Sequence, residues 1–254
     1  MSGMQQLTNR VAVVTLSFWI MKICATTLGE TAGDLLSMTL KVGYAISSMI
    51  LLGLFLISLL AQLRAQRFHP LLYWSVILTT STAGTTMSDF MDRTLALGYA
   101  KGSALLLGGL LLVLTTWRLT EKNLSVANIQ TRRAELFYWI AILFSNTLGT
   151  ALGDFLADDS GLGFFGGAAV IGSTILLVAL LYFFTQINRV LLFWIAFVLT
   201  RPFGATFGDL LTKPVEKGGL NFGTVGSSAV LAALLLGCMI LANQRQKRLD
   251  AAEQ

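Results

Sequence analysis

The stretch Trp19–Asp34, WIMKICATTLGETAGD, decides how the chain is read: a hydrophobic run takes on small residues and then two carboxylates, Glu30 and Asp34. The frame returns at Trp74, Trp139 and Trp194. In each copy a glycine follows the tryptophan by ten residues (Gly29, Gly84, Gly149, Gly204) and an aspartate follows it by fifteen (Asp34, Asp89, Asp154, Asp209). A small residue precedes each aspartate (Gly33, Ser88, Gly153, Gly208), and another glycine lies nine residues after it (Gly43, Gly98, Gly163, Gly218). Asp34 to Asp89 and Asp154 to Asp209 each span 55 residues, and the two halves are offset by 120. These spacings describe a two-helix unit duplicated into a four-helix half that was itself duplicated.

Around the frames the chain is 55% hydrophobic and 12% charged, with a mean hydropathy of +0.72, unlike an ordinary soluble domain. A helical span takes about 20 apolar residues. Eight segments qualify, roughly 11–38, 44–63, 71–91, 102–119, 135–157, 164–186, 190–211 and 222–243. The expected fold is therefore an all-α integral membrane bundle of eight transmembrane helices, arranged as four parallel helical hairpins with pseudo-twofold or fourfold symmetry. Units 1–65 and 66–127 make the first half, 1–127, and units 128–186 and 187–254 the second, 128–254, in one membrane domain. An even number of spans per unit keeps all units in the same orientation, in contrast to inverted repeats. The first segment carries the frame, so it reads as a mature span and not as a cleaved signal.

The net charge of +5 is a topology signal. Arg10, Arg64, Arg67, Arg118, Lys122, Arg132, Arg133, Arg189, Arg245, Lys247 and Arg248 fall at the termini or in alternate loops. The opposite loops hold Lys41, Arg93, Lys101, Lys213 and Lys217, together with Asp92, Asp158, Asp159 and Glu216. The positive-inside rule places both termini in the cytoplasm, which makes the chain a multi-pass protein of a bacterial inner membrane. Its expected partners are the bilayer and a small ion or solute, a homo-oligomer is compatible, and nucleic acid is not expected. Cys24 and Cys238 lie within apolar spans and read as small hydrophobes, with no disulfide framework.

At about 100° per residue, Thr27, Glu30, Thr31 and Asp34 share one arc of the first helix, with Thr26 beside it. The other units present Ser81, Thr82, Thr85, Thr86 and Asp89; Asn146, Thr147, Thr150 and Asp154; and Arg201, Thr206 and Asp209. The paired small positions, Gly29 and Gly33, Gly84 and Ser88, Gly149 and Gly153, Gly204 and Gly208, form a neighbouring strip suited to close helix packing. Ionisable groups at membrane depth face a cavity or a partner, so four equivalent aspartates are expected to converge on the repeat axis. Their repulsion is relieved by a cation, by shared protons or by a basic residue such as Arg201. Asp34, Asp89, Asp154, Asp209 and Glu30 supply oxygen ligands, with Thr27, Thr31, Thr82, Thr86, Thr147 and Asn146 beside them. Such donors suit a divalent manganese, calcium or magnesium ion. At about 1.5 Å per residue the aspartates lie ~30 Å from the cytoplasmic helix ends, in the outer part of the membrane.

The chain resembles a family of bacterial repeat-containing integral membrane proteins, most specifically in Lys22–Asp34, KICATTLGETAGD. That resemblance covers nearly the whole chain and implies a multi-span fold with no established activity. Glu30-x-x-Gly33-Asp34 is also similar to the Glu-x-Gly-Asp element of cation/proton exchangers that handle calcium and manganese, though one residue longer and present in only one unit. Transport of a cation, divalent in class, is the leading expectation, with Arg201 as a gating counter-charge. The alternatives are a proton-coupled transporter of a small organic solute bound by Arg201, and a non-transporting scaffold or lipid-binding protein. No Ser/His or Cys/His constellation suggests an enzyme, and a bound divalent cation is the one cofactor the residues invite.

Overall fold

Each frame builds the start of a long helix that ends at its aspartate. The computed structural model describes residues 11–65, 68–126, 129 and 131–252. Among them run eight long helices and no strand: α1 Leu16–Asp34, α2 Tyr44–Arg64, α3 Pro70–Asp89, α4 Tyr99–Glu121, α5 Arg132–Asp154, α6 Gly163–Phe184, α7 Arg189–Thr212 and α8 Thr224–Ala252. Arg10, Arg67 and the side chain of Lys247 lie outside what is described. Local chemistry sets the helix starts. Thr15 and Thr131 accept from the amides of Phe18 and Ala134 at 3.3 and 3.0 Å, and Pro70 occupies the first position of α3, where its missing N–H costs nothing.

Six helices, α2, α4, α5, α6, α7 and α8, are long and apolar enough to cross a membrane, the build of a membrane protein. α1 and α3 carry more polar residues, and their positions explain why. α1, α3, α5 and α7 form an inner ring in which each packs on the next and α7 closes on α1. Helices screened from lipid by other helices need not be apolar all round.

The outer helices are arranged differently from the hairpins that the repeats suggest. α2 packs on α3, α4 on α5, α6 on α7, and α8 returns to cover α1. Each outer helix thus clads the inner helix of the following unit. The nine residues between Asp34 and Tyr44 are long enough to carry the chain across, and Gly43 turns it at φ +82°, a backbone angle that side chains disfavour.

The frame glycines explain the inner ring. Gly29 abuts Ser81, Gly84 abuts Asn146, Gly149 abuts Arg201, and Gly204 abuts Thr26. Every contact therefore runs from one unit's glycine to the same position of the next unit, three residues before that unit's own glycine, and the fourth closes on the first. A methyl group at any of these glycines would overlap its neighbour, so the sequence exchanges side-chain bulk for close helix approach. Gly33 lies on Thr85, Gly153 on Ala205 and Gly208 on Glu30. At Ser88 the hydroxyl instead donates to Asp92 Oδ2 at 3.2 Å.

The same four-step order closes the end of the bundle that carries the tryptophans and most of the basic residues. The aromatic residue before each tryptophan meets the tryptophan of the next unit: Phe18 with Trp74 at 5.6 Å between ring centroids, Tyr73 with Trp139 at 5.4 Å, Tyr138 with Trp194 at 6.4 Å, and Phe193 with Trp19 at 5.7 Å. The Tyr73 and Tyr138 hydroxyls share a hydrogen bond of 2.5 Å inside this ring, so both polar tips are satisfied where water is excluded.

Candidate functional site

The opposite end of the inner ring collects the four aspartates. Asp34, Asp89 and Asp154 are the last α-helical residues of α1, α3 and α5, and Asp209 lies three residues before the end of α7. All four are buried. After the first three the chain continues as π-helical turns, Leu35–Thr39, Phe90–Thr94 and Phe155–Asp159. None of these aspartates caps its turn through the side chain. Asp34 and Asp154 are each held by a cation from another unit, and Asp89 and Asp209 by a cation four residues on in their own. Each of Asp89, Asp154 and Asp209 also feels the charge of Glu30 and of further aspartates, so the group converges on one region.

Two cations divide that region into halves. Arg93 Nε lies 2.8 Å from Asp89 Oδ1, and its Nη2 lies 3.3 Å from Asp154 Oδ2, joining the second and third units. Lys213 Nζ lies 3.1 Å from Asp209 Oδ1 and 2.6 Å from Asp34 Oδ2, joining the fourth unit to the first. Both residues stand four positions after their own aspartate and 120 residues apart. Their backbones differ. Arg93 lies within a π-helical turn, whereas Pro214 follows Lys213 and has no N–H to give an i→i+5 bond. α7 therefore ends with the Lys213 amide donating to the Asp209 carbonyl at 2.9 Å, and Lys213 itself is extended.

One helical turn deeper, Arg201 ties the inner ring together. Its Nη1 and Nη2 each donate to Glu30 Oε2 at 3.0 Å, and Nη2 also donates to the Thr85 and Thr150 hydroxyls at 2.5 and 2.7 Å. One guanidinium from the fourth unit therefore contacts the other three. Arg201 and Glu30 are buried as a pair, so their mutual attraction and hydrogen bonds must offset a large desolvation cost. Arg201 neutralises Glu30, whereas the sequence offered Asp209 or a neighbouring aspartate as its partner.

Deeper still, Lys22 is fully buried. Its Nζ donates to Asn146 Oδ1 at 3.4 Å and lies 4.2 Å from the Phe197 ring centre. Asn146 in turn donates to Thr80 Oγ1 at 3.0 Å. On the helical wheel Lys22 falls outside the polar arc and reads as a side chain that snorkels or pairs locally; the structure turns it into the core.

The candidate ligands do not all gather. Glu30, Asp34 and Asp209 bring one carboxylate oxygen each within 4.8 Å of one another. The hydroxyls of Thr27, Thr31, Thr82, Thr86 and Thr147 instead donate to the Ile23, Leu28, Leu78, Ala83 and Leu143 carbonyls of their own helices. Ser228 of α8 donates to the Thr31 hydroxyl at 2.9 Å, so this face of α1 meets the outer helix. Arg93, Lys213, Thr85 and Thr150 do the work of neutralising and bridging. The two threonines share the polar arc, and the two cations were legible as an i+4 pair repeated at 120 residues.

The repeat family described as Repeat of Unknown Function (DUF347) matches residues 17–68, 72–123, 137–188 and 192–247. No curated protein matches the chain, and no solved structure does.

Proposed function

The chain belongs to the DUF347 repeat family, and from the site its repeats build we propose that it transports a divalent cation of the manganese, calcium or magnesium class across the bacterial inner membrane. In this reading all eight helices span the bilayer, both termini are cytoplasmic, and the acidic end faces outward. The observation that carries it is the cluster of Glu30, Asp34 and Asp209 oxygens within 4.8 Å of one another, with Lys213 Nζ already seated across two of them. An ammonium held by two carboxylates occupies the place of a cation. A hard divalent ion takes oxygen ligands of this kind, and five carboxylates here meet only three cations, Arg93, Lys213 and Arg201.

In the proposed step an incoming ion displaces the Lys213 ammonium, which leaves on its extended, non-helical backbone. The aromatic ring closes the path toward the tryptophan end, so release on that side requires the ring to open. A solute-binding role for Arg201 would require it to leave Glu30, Thr85 and Thr150, and nothing in the geometry favours that. The test is manganese uptake into vesicles containing the purified protein. Asp34→Asn combined with Asp209→Asn should abolish uptake while the thermal unfolding transition persists. Uptake at the normal rate by that variant would discard the reading in favour of a scaffold.

A further inference from the structure

A groove of about 490 Å³ opens at the tryptophan end, between the start of α1, the start of α3 and the last turns of α8. Its volume lies in the range of ligand pockets, ~300–1,000 Å³. Val11, Phe18, Met21, Phe68, Trp74 and Leu241 give it an apolar floor and walls. Ile20 and Leu241 are themselves well exposed, so the groove opens on the flank of the bundle that meets lipid.

The polar features of the groove share one sign. Among the described residues Arg245 is the one charged residue of the groove lining, and it makes no ion pair there. α1 begins at Leu16 and α3 at Pro70 beside the same mouth, and helix N-termini carry partial positive charge. His69 gives α3 no side-chain cap. An apolar slot facing the bilayer, with an unpaired guanidinium and two helix N-termini at its rim and no carboxylate among its described lining residues, has a polarity complementary to an anionic amphiphile.

We propose that this groove binds one anionic phospholipid, an acyl chain lying along the apolar floor and the phosphate against Arg245. The proposal uses the inward placement of the basic end but not cation transport, so either can fail alone.

The test is native mass spectrometry of the full chain released from detergent after loading with dioleoyl phosphatidylglycerol or dioleoyl phosphatidylcholine. One phosphatidylglycerol should be retained over phosphatidylcholine by about fivefold or more, the effect of one basic residue at an anionic lipid surface. Arg245→Gln, an exposed substitution, should bring the two lipids to parity, and Ala242→Trp, which fills the groove, should reduce retention of both. Equal retention by the unmodified chain, or a preference that survives Arg245→Gln, overturns the proposal. So does displacement of the lipid by inorganic phosphate, which would make the site a phosphate site. A chain lacking residues 2–9 that gains phosphatidylglycerol binding absent from the intact chain would also overturn it, by identifying that segment as the occupant.

Discussion

Arg93 and Lys213 occupy equivalent places 120 residues apart, and each clamps two aspartates from adjacent units, yet the halves they hold are not alike. Arg93 is fixed within a helical turn, and its guanidinium lies 5.7 Å from the Tyr99 ring centre. Lys213 stands on extended backbone, a flexible point charge where the other half has a planar fork. Among the described residues it is the Lys213 half that gathers a third carboxylate, Glu30. A fourfold scaffold thus holds a twofold pattern of charge, and under the proposed function one of its two halves exchanges a cation while the other holds the aspartates in place.

The largest effect should come from breaking the element that belongs to one half alone. Arg201→Ala leaves Glu30 buried without its counter-charge, and loss of one partner of a buried pair costs about 3–5 kcal/mol. Chemical denaturation in micelles should register that loss, and adding Glu30→Gln should restore part of it. A variant as stable as the unmodified chain would mean that Glu30 finds another partner and that the halves differ less than drawn here.

Next comes the scaffold, where the halves should agree. Gly84→Val and Gly204→Val overfill equivalent contacts, against Asn146 and Thr26, and each should cost about 1–3 kcal/mol. Unequal losses in the same denaturation experiment would show that the ring is less symmetric than its contacts. A smaller effect separates the clamps directly. Lys213→Arg should slow manganese uptake about tenfold because a bidentate fork is released less readily than an ammonium, whereas Arg93→Lys should leave uptake within about twofold. Equal slowing by both would erase the distinction. The smallest change is Tyr99→Phe, which removes only a long contact of 3.5 Å with Asp158 and should shift stability by less than about 0.5 kcal/mol.

The repeat register, the helical class and the position of the aspartates were legible because each rests on spacing along one chain. Gly29, Gly84, Gly149 and Gly204 could be read as a packing strip, but not as contacts between successive units, since a small residue does not name its partner. The cladding of α3 by α2 was hidden because the repeat unit groups α2 with α1, although the connection from α2 to α3 is the shorter one. Arg93 and Lys213 were counted with the loops, where a charge usually meets water, although their i+4 spacing from an aspartate places them on its helical face. Lys22 was misread because the equivalent positions, Ile77, Ile142 and Phe197, are apolar. A wheel ranks faces by polarity, and this face is polar in one unit only.

The order of cladding has a consequence for synthesis. α1 is the first of the described helices to leave the ribosome, and its covering helix, α8, is the last. Until α8 arrives, the face of α1 that carries Thr31 lacks the Ser228 hydroxyl that meets it in the finished bundle. α7 and Arg201 also come late, so Glu30 is made long before its counter-charge. The early helix must wait in a provisional state until that partner is made. Covering α1 with α8 is therefore the last step of assembly, and a chain stopped before α7 would leave Glu30 without the guanidinium that neutralises it.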